Sequence, residues 1–98
     1  PGRGRVHYSP GIPIRLNAVK IKKDEAFILI KKREENNKNY FYLSKTNNLM
    51  ESVKNLYKTL RKIKKLGYKK IAVQKIPNRN FGLVINDRLL RASKKWKI

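Results

Sequence analysis

Two rhythms of apolar and polar residues run through this chain, and they predict four short strands and two helices. Ile14 to Leu16 begins the first strand. Glu25 to Lys32 is a run rich in β-formers, of the kind found in a buried strand, and Tyr40 to Leu43 is a shorter aromatic one. The spacing then changes. Leu49, Val53, Leu56, Leu60 and Ile63 recur three and four residues apart, giving one continuous apolar stripe on a helix. Asn48 followed by Glu51 makes a capping-box pattern at its start, and Gly67 supplies a stop at its end. Lys69 to Ile76 returns to strand character around Ile71, Ala72 and Val73, and Pro77 closes it. A second helix is predicted from about Gly82 to Lys95, with Ile85, Leu89, Ala92 and Trp96 as its inner stripe.

The order strand, strand, strand, helix, strand, helix predicts an α/β domain in which two amphipathic helices pack on a small mixed sheet of about four strands. The helix between the third and fourth strands is expected to be a right-handed crossover joining parallel neighbours. Before residue 14 the chain is different. Pro1, Pro10 and Pro13 stand there with Gly2, Gly4 and Gly11, so residues 1–13 read as an extended basic arm or linker. Residues 14–98 then form one domain, with a core just large enough to fold alone.

Charge changes the picture more than any motif. Lys and Arg number 26 against 6 Asp and Glu, for a net charge of +20 in 98 residues. Self-repulsion on that scale opposes compaction, and a polyanion is its natural neutraliser. The basic residues run through every predicted element, so several faces of one folded body are expected to meet phosphate. Lys54, Lys58, Arg61, Lys62 and Lys65 lie mostly off the apolar stripe of the first helix, where only Glu51 opposes them. Intrahelical ion pairs cannot neutralise such a face. The expected RNA contacts are Arg3, Arg5, Arg15, Lys54, Lys58, Arg61, Lys62, Lys65, Arg91, Lys94 and Lys95. Tyr40 and Tyr42 share one strand face and offer rings to bases, although such a pair also serves as core rim.

Catalytic chemistry is harder to find. With no cysteine there is no disulfide framework, thiolate metal site or Cys nucleophile. His7 is the sole histidine, and its arm offers no partner beyond Tyr8 and Ser9 to orient it as a base or ligand. Asp24–Glu25 and Glu34–Glu35 are adjacent in sequence, so on a strand they would point to opposite faces rather than form an acid–base couple. They read as solvated loop or edge residues. No metal site and no cofactor is expected. No apolar run approaches the ~20 residues that span a bilayer, and neither helix is expected to keep a spare apolar face for a membrane surface. The first residue is Pro1 rather than Met, which reads as a processed, trimmed or fragmentary product of an intracellular or organellar protein.

Two stretches resemble a known family. PGRGRVHYSPGIPIRL, Pro1 to Leu16, is similar to the linker and first strand of two-domain threonylcarbamoyl-adenylate synthases, in which Pro-Gly-Met and a short spacer precede His-Tyr-Ala/Ser-Pro and a further Pro. Pro1, Gly2, His7, Tyr8, Ser9, Pro10 and Pro13 match it. Arg3 stands where Met is usual, and Gly4 and Arg5 depart from the spacer. IAVQKIPNRNFGLVINDRLLRAS, Ile71 to Ser93, is similar to the family's closing strand and helix, with Asn86, Asp87, Arg88, Leu89 and Ala92 fitting its pattern. The intervening helix matches in length and patterning. The resemblance implies the accessory C-terminal domain, a small Rossmann-like α/β fold that follows a YrdC-like catalytic domain. That catalytic domain binds ATP, threonine and bicarbonate-derived carbamate, and the linker folds over its active site.

Two readings of function result. Charge supports a non-catalytic RNA-binding structural protein reusing this accessory domain: a ribosomal subunit, mitochondrial or otherwise organellar, whose partners are rRNA and neighbouring ribosomal proteins. The alternative is the C-terminal fragment of a threonylcarbamoyl-adenylate synthase, acting in the formation of threonylcarbamoyladenosine in tRNA. In neither does this chain alone take a small-molecule substrate, and in neither does it bind a membrane.

Overall fold

The structure, a computed structural model, describes residues 11–93. Four strands, β1 (Ile14–Ala18), β2 (Ala26–Leu29), β3 (Tyr40–Tyr42) and β4 (Ile71–Gln74), are joined by two helices, α1 (Leu49–Lys65) and α2 (Phe81–Ser93). The sheet order is β1-β4-β2-β3. All three pairings are parallel, so the expected small α/β architecture is present but its sheet is not mixed. Among the described residues one antiparallel bridge, Lys31 to Thr46, lies outside the named strands. The expected crossover also differs. β2 sits between β3 and β4, so α1 carries the chain past the central strand rather than to a neighbour. Strand order depends on contacts distant in sequence, which periodicity does not report.

Burial explains each strand's composition. β2 is central and buried along its whole length, which is why it reads as an uninterrupted apolar run. Side chains alternate across the sheet. Ala26, Ile28, Ile71 and Val73 face the layer made by Leu56, Leu60 and Ile63 of α1 and Ile85, Leu89 and Ala92 of α2. Both helices therefore cover the same face. Phe27, Leu29 and Ala72 point the other way, with Tyr40, Tyr42 and Ile21 packed beside them.

That second face is covered by loops. Arg33, in the β2–β3 loop, donates from Nη2 to the Val19 carbonyl at 2.7 Å. Its guanidinium lies 5.1 Å from the Phe27 ring centroid and 5.9 Å from that of Tyr40. One side chain thus ties two loops over the aromatic layer. Glu25 departs from its sequence reading as a solvated residue: it is 3 % exposed. Its carboxylate accepts from Arg15 Nε at 3.1 Å, Arg15 Nη2 at 2.8 Å and the Lys22 amide at 2.8 Å. Burial is tolerated because charge and lone pairs are matched.

The ends of α1 are fixed locally. Asn48 Oδ1 accepts from the Glu51 amide at 2.9 Å. The box is not reciprocal, since the Asn48 amide donates to Ser44 Oγ at 3.0 Å. At the other end Gly67 takes φ +93°. Its amide reaches Lys64 O at 3.0 Å and that of Tyr68 reaches Ile63 O at 3.4 Å, the Schellman pair. Gly82 serves a different need. A Cβ there would stand 1.8 Å from the Pro77 carbonyl oxygen, so only glycine lets α2 start against that turn.

Candidate polyanion interface

On α1 the apolar stripe and the cations segregate as helical geometry requires. Leu56, Leu60 and Ile63 are buried, whereas Lys54, Lys58, Arg61, Lys62 and Lys65 are exposed. Steps of four, three and four residues place Lys54, Lys58, Arg61 and Lys65 in one row on the outward face. That row extends about 16 Å at 1.5 Å per residue. None of these five residues forms an ion pair among the described residues. The ion pairs found there are Arg15–Glu25, Arg33–Glu35 and Arg91–Asp87.

The other sequence-predicted contacts fare differently. Arg15 is tied to Glu25 by its two hydrogen bonds and donates from Nη2 to the Lys20 carbonyl at 3.1 Å. It braces the β1–β2 loop. Arg91 pairs with Asp87 at 3.2 Å on the surface of α2. Arg3, Arg5, Lys94 and Lys95 lie outside the described residues, as do His7 and Trp96. The helix face is therefore the part of the expected cation set that stands together and unpaired.

Two further lysines, which the sequence pattern does not single out, join this face. A groove of about 460 Å³ runs between the outer edge of β3 and α1, lined by Lys38, Lys45, Lys62, Thr59, Leu66 and the strand itself, Tyr40–Tyr42. Isolated lysines in polar loops carry no periodic signal, so only the fold reveals their meeting. Tyr40 and Tyr42 do share a face, but their rings stand edge to face at 90° with centroids 6.4 Å apart. Lys45 Nζ lies 5.6 Å from the Tyr42 centroid. The Tyr40 hydroxyl donates to Glu35 at 2.8 Å, and the Tyr42 hydroxyl accepts from the Arg33 amide at 3.1 Å. Both rings belong to the layer over Phe27, and they do not form two parallel stacking platforms.

Electrostatics follow the same division. Arg15, by its hydrogen bonds and charge, holds the Glu25 carboxyl below the usual carboxylate range. Glu35 is also lowered, first by its own backbone amide and then by Tyr40. Tyr40 is raised by burial and by Glu35. No group of three or more His, Asp or Glu side chains placed to hold a metal occurs among the described residues. No described helix is long and apolar enough to cross a membrane. Contrary to the sequence expectation, α2 does leave apolar side chains outside: Phe81, Leu83, Val84 and Leu90 are exposed.

The closing motif, Asn86 to Leu89, is structural here. Asn86 Nδ2 donates to the Ile76 carbonyl at 3.0 Å, locking the turn after β4. The Arg88 guanidinium lies 5.7 Å from the Tyr57 centroid and ties α2 to α1, while Leu89 is core. No curated protein and no solved structure matches the chain. The family described as threonylcarbamoyl-AMP synthase, C-terminal domain, matches residues 1–94. A parallel α/β sheet with two helices, the Asn86 to Leu89 turn lock and that near-complete match agree, and the chain belongs to this family.

Proposed function

We propose that this chain is the non-catalytic C-terminal domain of a threonylcarbamoyl-AMP synthase, working in the formation of threonylcarbamoyladenosine in tRNA, and that its α1 face meets RNA phosphate. The match over residues 1–94 carries the first part. It favours the synthase reading over the ribosomal one, for which no finding speaks. The unpaired row of Lys54, Lys58, Arg61 and Lys65 supports the second part, because exposed cations without local partners release counterions when phosphate replaces them.

The first part is tested by pyrophosphate release from ATP in the presence of threonine and bicarbonate. The 98-residue chain alone is expected to release none. Joined behind a YrdC-like catalytic domain, it is expected to support release. Turnover by the isolated chain would contradict the assignment of a non-catalytic role. Loss of threonylcarbamoyladenosine from cellular tRNA when the parent gene lacks residues 1–94 checks the pathway.

A further inference from the structure

We infer that the groove between the β3 edge and α1 holds a single-stranded stretch of a polynucleotide, with Lys38, Lys45 and Lys62 on its phosphates. The inference rests on reading α1 as a polyanion face and is independent of the family assignment. It starts from the edge. β3 pairs with β2 through Phe27–Tyr40, Ile28–Phe41 and Leu29–Tyr42, and among the described residues no strand lies beyond it in the sheet. The Phe27 amide donates to Asn39 O at 2.8 Å and the Leu43 amide donates to Leu29 O at 2.7 Å. Odd-numbered residues therefore turn their peptide groups toward β2, and Tyr40 and Tyr42 turn theirs outward into the groove. The Tyr40 amide is taken by Asn37 O at 3.0 Å, which leaves the Tyr42 amide and the Tyr40 and Tyr42 carbonyls facing the groove.

The groove thus has peptide donors and acceptors along its β3 edge, Lys38, Lys45 and Lys62 around it, and Phe41, Thr59 and Leu66 between them. A single strand supplies the complement: base edges that hydrogen-bond and phosphates that pair with lysine. A duplex keeps its bases inside and has no use for such an edge. An acidic peptide adding as a strand would find only the three residues of β3 to pair with, too few for a useful ladder. The cations, moreover, do not stop at the groove. Lys62 lies in the groove wall and on α1 beside Lys58 and Lys65, so the positive surface continues along the helix, as a long polyanion needs. A second cleft continues from it, sharing Lys38 and Leu66 and adding Lys69 and Lys70, with Asp24 as the one carboxylate in its lining.

The test uses the 98-residue chain and a fluorescent, unstructured 12-nucleotide oligouridylate, with a 12-base-pair RNA duplex as comparison. Anisotropy titrations are run from 50 to 200 mM salt on three proteins. These are the native chain, K38Q/K45Q/K62Q, and the equally charged control K20Q/K23Q/K75Q. All the substituted lysines are exposed, so circular dichroism is expected to be unchanged. The groove variant should lose at least tenfold in affinity for the single strand, and its salt slope should fall by about 2, at about 0.7 per single-strand phosphate released. The control should lose less than threefold, and the groove variant should lose less affinity for the duplex, which meets Lys62 alone of the three, than for the single strand. Equal losses in both variants would mean that only bulk charge acts and would overturn the inference. Preference for the duplex, or tighter capture of an acidic peptide or anionic vesicles, would overturn it too. If the groove variant is silent while substitution of the α1 row weakens RNA, the groove fails and the α1 reading stands. If neither matters, both fail.

Discussion

The two helices pack on the same face of one sheet yet present opposite outer surfaces. α1 turns Lys54, Lys58, Arg61 and Lys65 outward, whereas α2 turns out Phe81, Leu83, Val84 and Leu90, with Asp87 pairing Arg91 among them. Net charge alone would make the whole body a polyanion ligand. The contrast shows instead that cation density is organised. It is high and unpaired where α1 meets the β3 edge, and interrupted by apolar groups and an ion pair on α2. Inner faces, by contrast, are alike: Leu56, Leu60 and Ile63 of one helix and Ile85, Leu89 and Ala92 of the other fill one core.

The sharpest way to separate inner from outer positions is to truncate one leucine of each kind. Leu60→Ala removes a fully buried side chain of α1 and should cost about 2–5 kcal/mol in denaturant unfolding. Leu90→Ala, on the outer side of α2, should stay within about 0.5 kcal/mol. If Leu90→Ala cost as much as Leu60→Ala, its face would be covered in solution and the contrast between the helices would fail. Gly82→Ala comes next. The Pro77 carbonyl must move to admit the new Cβ, and the expected loss is about 1–3 kcal/mol, read by urea midpoint. Asn48→Ala at the start of α1 should cost about 1 kcal/mol by removing the acceptor for the Glu51 amide. Gly82→Ala should disturb α2 more than Asn48→Ala disturbs α1, because α2 begins by close approach and α1 by a side-chain cap.

The smallest effect is a pH dependence. Arg15, then the Lys22 amide, hold Glu25 below its ordinary value, so the folded state binds its proton less readily than the unfolded chain. The pair therefore contributes its stability above the unfolded value of about 4.3 and loses it as pH falls through the lower folded value. Melting temperatures between pH 6 and pH 3 should drop more for the native chain than for Glu25→Gln, which is already weakened at pH 6. Parallel pH curves for the two would show that Glu25 contributes nothing to the acid sensitivity.

Amphipathic spacing makes α1 and its cation row legible in the residues themselves, because a seventeen-residue helix repeats its signal several times. Both ends of α1 are legible too, since Asn48 and Gly67 act through local geometry. Three features escape such reading. Parallel pairing throughout, with β2 between β3 and β4, follows from contacts far apart in sequence and from a looped β2–β3 connection with no helix to announce it. Glu25 reads as surface beside Asp24, and only the folded chain brings Arg15 to it across ten positions. Lys38 and Lys45 gain meaning only when the β3 edge is set beside Lys62. Arg15 shows the converse error: its charge suggests phosphate, but the fold turns it onto a carboxylate.

Confinement of polyanion binding to the α1 row and the β3 edge is what the functional reading stands on. Backbone amide shifts of the nitrogen-15-labelled chain, followed by NMR during titration with the oligouridylate, report on it residue by residue. The largest changes should fall on residues 38–45 and 54–65, with Leu83 to Leu90 nearly still. Changes centred on α2, or small changes spread evenly over every lysine-bearing element, would contradict it.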